Sequence, residues 1–175
     1  MNKKQKATRG KRITERNLEL RDKLWPDIDS EALWHRNQNT GFVTLPRLMP
    51  LFALVMDDLA CGQPPSKVYY SLWCRDFDTS LIEIKHEKEM AHEAGFSSER
   101  AVSTWRTRIK KLEELGFIKV QSGRGDDYRY ILILNPYFVI KELKKKGQIT
   151  DDVFNDLFAR AQEVGAESDL ESEEG

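Results

Sequence analysis

Apolar residues change their spacing several times along this chain, and each change marks an element. Residues 1–12 carry no apolar side chain besides Met1 and Ala7, a composition that predicts a disordered basic arm. Ile13, Leu18, Leu20 and Leu24 are sparse and predict only a short, weak helix. Residues 26–43 read as loop, with Pro26, a helical turn around 31–36 and a turn-rich run at 37–41. Thr44 is a candidate N-cap, and Pro46 suits a first helical turn. Pro50 would break a helix already under way, so the main helix is expected to start there and run to Ala60. Its inward positions are Leu51, Phe52, Leu54, Val55 and Leu59. Gly62 and Pro64-Pro65 end it, and Ser66 opens a second helix that turns Val68, Tyr69, Leu72 and Trp73 inward.

The β-branched run 81–84 predicts a short strand, and 86–94 a short helix with Met90 and Ala91 inward, closed by Gly95. Over 98–115, Trp105, Ile109, Leu112 and Leu115 recur at steps of four, three and three, with Val102 one turn earlier, and form one buried helical stripe. Strands at 117–121 and 128–134 flank a Gly-rich tip, Ser122 to Asp127, and Asn135-Pro136 stops the second. Helices are expected over 137–146 and from Thr150 to Val164. In the latter, Asp151 and Asp152 favour the positive N-terminal end. Residues 165–175 read as a disordered acidic tail. The fold class is mostly α within α+β: a two- or three-stranded sheet with flanking helices.

With 175 residues, 39% of them hydrophobic, the chain can bury one proper core. Its most apolar run, 48–60, is interrupted by Pro50, Asp57 and Asp58 and falls short of the roughly 18 apolar residues of a membrane span. No membrane partner is expected. The basic start has no apolar segment behind it and so does not read as a secretory signal. Cys61 and Cys74 follow no disulfide or metal pattern, which suits a reducing, cytoplasmic setting. A net charge of −1 conceals opposed ends. Residues 1–23 hold nine basic and three acidic side chains, a local +6, while 151–175 hold nine acidic and one basic, a local −8. Near-neutrality therefore does not argue against a nucleic-acid partner, since phosphates feel local patches.

Outside the stripe of 98–115 lie Ser98, Arg100, Ser103, Thr104, Arg106, Thr107, Arg108, Lys110 and Lys111. A helix that docks through one side and turns hydroxyls and guanidinium groups outward suits a DNA major groove. Glu113 and Glu114 come only at its far end. At and beside the hairpin tip, Arg124 and Arg129 are candidate backbone or minor-groove contacts, opposed by Asp126 and Asp127. The bland alternative is an amphipathic surface helix whose cations are merely solvated. The upstream strand and short helix, and the downstream ribbon, favour the DNA interpretation.

Glu89-Met90-Ala91-His92-Glu93-Ala94-Gly95-Phe96, Thr104-Trp105, Ile109 and Leu112-Glu113-Glu114-Leu115-Gly116-Phe117-Ile118 together resemble the winged helix-turn-helix superfamily over about residues 66–135. The resemblance implies a recognition helix, a left-handed Gly116 at its exit and a wing across 117–134. It also implies double-stranded DNA as partner. Phe154, Leu157, Phe158, Ala161 and Val164 form an apolar stripe on the helix 150–164, which suggests a homodimer through the C-terminal helices, with a fold back onto the chain's own domain as the alternative. Two departures stand out: about three extra residues come after Gly95, and Trp105 takes a usually small position. The exit Leu134-Asn135-Pro136-Tyr137 with its helix is similar to the segment after the wing in some plasmid replication initiators.

The resulting division is a basic arm at 1–12, a helical extension at 13–65, the winged helix at 66–135, C-terminal helices at 136–164 and the tail at 165–175. His86 and His92 are six apart and share no helix face, so no metal is expected. Cys74, beside Trp73, is expected to be a buried structural thiol rather than a nucleophile. Gly123 and Gly125 lie in a hairpin rather than a phosphate loop. Trp73, Trp105, Tyr128, Tyr130 and Phe138 could stack on single-stranded bases, but their spacing fits a core. No cofactor, enzyme activity or identifiable effector is expected. The expected function is sequence-specific DNA binding in transcription regulation. The alternatives are a plasmid replication or maintenance factor, and a protein-interaction module that has lost DNA.

Overall fold

Helix α1 takes in the basic run Lys3–Leu24 as one element, in place of the disorder expected up to residue 12 and the short helix after it. Lys, Arg, Gln and Glu lose little rotamer freedom in a helix, and Lys11 stands 3.9 Å from Glu15 one turn on. The computed structural model describes residues 3–171, so Met1, Asn2 and the last four residues of the expected tail lie outside it. The chain divides into two units, Met1–Phe42 and Val43–Gly175. In the first, α1 is followed by a single 3-10 turn, Ser30–Ala32, where Asp29 accepts a hydrogen bond from the Glu31 N–H at 2.9 Å. Trp34 meets Phe42 edge-on at 5.9 Å.

Pro50 stands in the first turn of α2, Met49–Leu59. Leu48, not Thr44, occupies the cap position, and no side chain caps the helix. Met49, Phe52, Val55 and Met56 face the core and Leu54 is exposed, which corrects the expected face. Helix α3, Ser66–Trp73, buries Val68, Tyr69 and Leu72. Cys74 follows its last turn and is exposed, against the expectation of a buried thiol. These residues share one core with everything downstream. Helix α2, within the expected helical extension at 13–65, supplies part of that core.

Strand β1, Leu81–Glu83, leads to α4, Glu87–Glu93, and α5, Ala101–Glu114. Strands β2, Ile118–Gln121, and β3, Tyr130–Ile133, complete an antiparallel sheet of order β1-β3-β2. Ile82 lies opposite Ile131 and Ile118 opposite Ile133, so these four isoleucines face the core together. The other face is open and carries Leu81, Leu132, Tyr130 and Lys119. The fold is mixed α+β, with helices predominating.

Asn135 caps α6, Pro136–Lys145, by accepting from the Tyr137 N–H at 3.0 Å, with Pro136 in the first turn. Thr150 caps α7, Asp151–Val164, by accepting from the Val153 N–H. Gly165 then adopts φ 74 and turns the chain into α8, Glu167–Leu170, whose Leu170 is buried in the core. The disorder expected from residue 165 thus does not hold through Leu170, because that side chain has an apolar seat. Leu157 and Ala161 are buried against the same core, with Phe154, Phe158 and Val164 packed beside them. The apolar stripe that suggested a dimer covers the chain's own core. No helix among the described residues is long and apolar enough to cross a membrane.

Candidate nucleic-acid interface

Two glycines set the ends of the segments around α5. Gly95, at φ 86, lets the Phe96 N–H reach back to the Ala91 carbonyl at 2.9 Å and closes α4. Gly116, at φ 85, does the same after α5, where the Phe117 N–H donates to Leu112 O at 2.9 Å. Both need the left-handed region that glycine enters without steric cost. Between them α5 packs on α3 and α4, burying Ala101, Trp105, Ile109 and Leu112. The helix begins at Ala101 rather than at 98, so Ser98 lies in the preceding turn and Arg100 at the cap position. The extra residues after Gly95 form this turn, in which the Ala101 N–H donates to Ser98 O at 2.9 Å.

The expected contact residues separate by their partners. Ser103 Oγ donates to Arg100 O and Thr107 Oγ1 to Ser103 O, each at 2.9 Å, so both hydroxyls are bound to their own helix. Thr104 is half-buried. Lys111 pairs with Glu114 at 2.7 Å and lowers that carboxyl's pKa. Arg129 is held by Glu83 at 2.6 Å, by the Ile84 carbonyl at 3.3 Å and by Asp126 at 3.7 Å, which ties the start of β3 to β1. Arg108 is half-buried, and its Nε is buried without a hydrogen-bond partner. Arg100, Lys110 and, at the hairpin tip, Arg124 are exposed and form no ion pair among the described residues.

Arg106 pairs across to α4. Its Nε donates to Glu87 Oε2 at 2.8 Å, and its guanidinium carbon lies 5.6 Å from the centre of the Tyr128 ring. The hydrogen bond to Glu87 is the main reason its pKa is raised. Sequence patterning did not single out Glu87 or Tyr128 as partners of Arg106. The only signal was the acidic start of α4, where Glu87 and Glu89 favour the helix N-terminus. Lys119, exposed on β2, was also passed over.

Among the described residues no group of His, Cys, Asp and Glu is placed to hold a metal ion. Arg106, Lys110, Arg100 and Arg124 offer cationic N–H donors at the surface. Comparison with models of known protein families, with curated proteins and with solved structures returns no match.

Proposed function

We propose that this chain is a non-enzymatic, sequence-specific binder of double-stranded DNA, built as a winged helix-turn-helix with α5 as recognition helix and the β2–β3 hairpin as wing. The order of packed elements supports this: α3, β1, α4, α5, β2 and β3, with β1 closing the sheet against β3. In that arrangement α5 docks by Trp105, Ile109 and Leu112 and presents Arg106 and Lys110 on its other side. It enters the major groove, while Arg124 on the wing and the basic arm at 1–12 add phosphate contacts. Occupancy of the site then blocks or recruits other machinery, most simply in transcription regulation, with plasmid replication or maintenance as the alternative setting.

Random-sequence selection followed by gel shifts over a range of salt tests this proposal. An enriched motif and an affinity that falls steeply with salt are expected. A protein that binds no duplex even at about 50 mM salt, where phosphate contacts are strong, overturns it. That outcome leaves the protein-interaction module, which the carboxylate partners of Arg106, Lys111 and Arg129 and the open apolar face of the sheet favour.

A further inference from the structure

Arg106 is anchored on one edge and covered on one face. Glu87, with a side chain only 19% exposed, takes the Nε–H, and the Tyr128 ring lies against the guanidinium. Neither terminal nitrogen, Nη1 or Nη2, has a hydrogen-bond partner among the described residues, and the Arg106 side chain is 46% exposed. The end of the guanidinium is left open, two parallel N–H groups in a fixed plane. That fork matches two adjacent acceptors.

We propose that Arg106 reads a guanine through its O6 and N7, and that Glu87 and Tyr128 are positioning residues that preset it. This rests on the DNA-binding function proposed above. A guanine suits the site better than a phosphate does. Glu87 touches the guanidinium, and Asp127 on the hairpin lies near enough to reinforce its charge. A phosphate would bring a full negative charge toward two carboxylates, whereas O6 and N7 are neutral acceptors. Adenine offers N7 beside an amino donor, which would meet a guanidinium N–H head-on. Lys110 and Arg124, which form no hydrogen bond or ion pair with a carboxylate among the described residues and so keep their N–H groups open, remain the better phosphate ligands.

The test uses the full chain and the duplex it selects from random sequence. Guanines in that duplex are replaced one at a time by 7-deazaguanine, which lacks the N7 acceptor. Binding is then measured for the wild type, Arg106→Lys and Glu87→Gln, with melting curves to show that each is folded. At one guanine, the replacement is expected to weaken the wild type by about five- to 150-fold and to leave Arg106→Lys no weaker than it already is. Glu87→Gln is expected to reduce the preference for guanine over adenine at that position alone. The salt slope should not change, since every phosphate contact is kept. Should Glu87→Gln fail to fold, the 7-deazaguanine arm with Arg106→Lys decides. A wild type indifferent to every 7-deazaguanine overturns the proposal, as does an Arg106→Lys protein that keeps the full preference. A wild type that binds no duplex overturns the DNA-binding function itself, and is seen before any variant is compared.

Discussion

Asp57, near the end of α2, accepts two hydrogen bonds from Ser66, one from its backbone N–H at 2.9 Å and one from its hydroxyl at 2.6 Å. Helix α3 has Pro65 at its cap position and no side-chain cap there, so a carboxylate from the preceding helix takes that role. Asp57→Ala should cost about 1–2 kcal/mol, as removal of a cap does. Asp57→Asn, which keeps an acceptor, should cost less. Urea midpoints measure both, and an unchanged midpoint for Asp57→Ala would show that α3 is positioned by packing alone.

Arg75 and Glu93 join the end of α3 to the end of α4 through two contacts, Nε to Oε2 at 2.7 Å and Nη2 to Oε1 at 2.5 Å. The hydrogen bond from Arg75 holds the Glu93 pKa below its ordinary value. A lowered folded-state pKa contributes stability that is fully present above the ordinary carboxylate value of about 4.3. It is lost as pH falls through the lowered one. The carboxylate side chain is 44% exposed, so the contribution stays under about 1 kcal/mol. Carbon-detected NMR titration should show the Glu93 midpoint rising toward about 4.3 in Arg75→Gln.

Trp105 is fully buried, with its ring edge-on to Tyr128 at 6.0 Å. Trp105→Ala should cost about 3–5 kcal/mol, comparable to the whole stability of many domains. The indole N–H meets no hydrogen-bond partner, so Trp105→Phe gives up only packing and should cost less. Thermal melts that rank the two substitutions the other way would show that the core collapses around alanine more readily than it accepts a phenyl ring.

A chain ending at Lys146 loses Ile149, Leu157, Ala161 and Leu170, all buried in the common core. It should unfold at markedly lower denaturant and bind a hydrophobic dye. Sedimentation of the full chain tests the proposed homodimer separately. If one forms, Leu157→Asp should lower stability without selectively splitting it, because that side chain already faces its own core. A Leu157→Asp chain that stays as stable as the wild type but turns monomeric would place the interface on α7.

Deleting residues 1–12 removes six basic side chains from the start of α1. The log–log salt slope should fall by about 0.9 for each phosphate that the arm no longer neutralises. Far-UV circular dichroism should report the accompanying decrease in helix. An unchanged slope would mean that α1 does not touch DNA.

Local signals survived the passage from sequence to structure best. Gly95, Gly116, Asn135 and Thr150 each mark the boundary their chemistry predicts, since a cap or a positive φ involves only a few neighbouring residues. The buried phase of α5 was equally readable, because Trp105, Ile109 and Leu112 repeat at helical spacing. Pairing across distance was not. Arg129 meets Glu83 and Arg106 meets Glu87 only after the chain has folded, and no periodicity announces such partners. That is why the candidate contacts looked alike in sequence and separate in structure. The phase of α2 was missed because its apolar residues lie nearly all round the helix, so spacing alone does not choose between a side with Leu54 and one with Met49 and Met56.

The sheet's strand order also dictates a schedule for vectorial synthesis. β3 is central, pairing with both β1 and β2, yet it leaves the ribosome last of the three. A nascent chain that stops short of Tyr130 has α3, α4 and α5 but no partner for β1, whose Glu83 awaits Tyr130 and whose Leu81 awaits Leu132. The hairpin can close over a short loop once β3 emerges, whereas β1 must span the intervening helices, at an entropic cost that grows with the length enclosed. Helices first, hairpin second and β1 last is thus the assembly order this topology favours. The edge strand supplied earliest in synthesis is the final one to be secured.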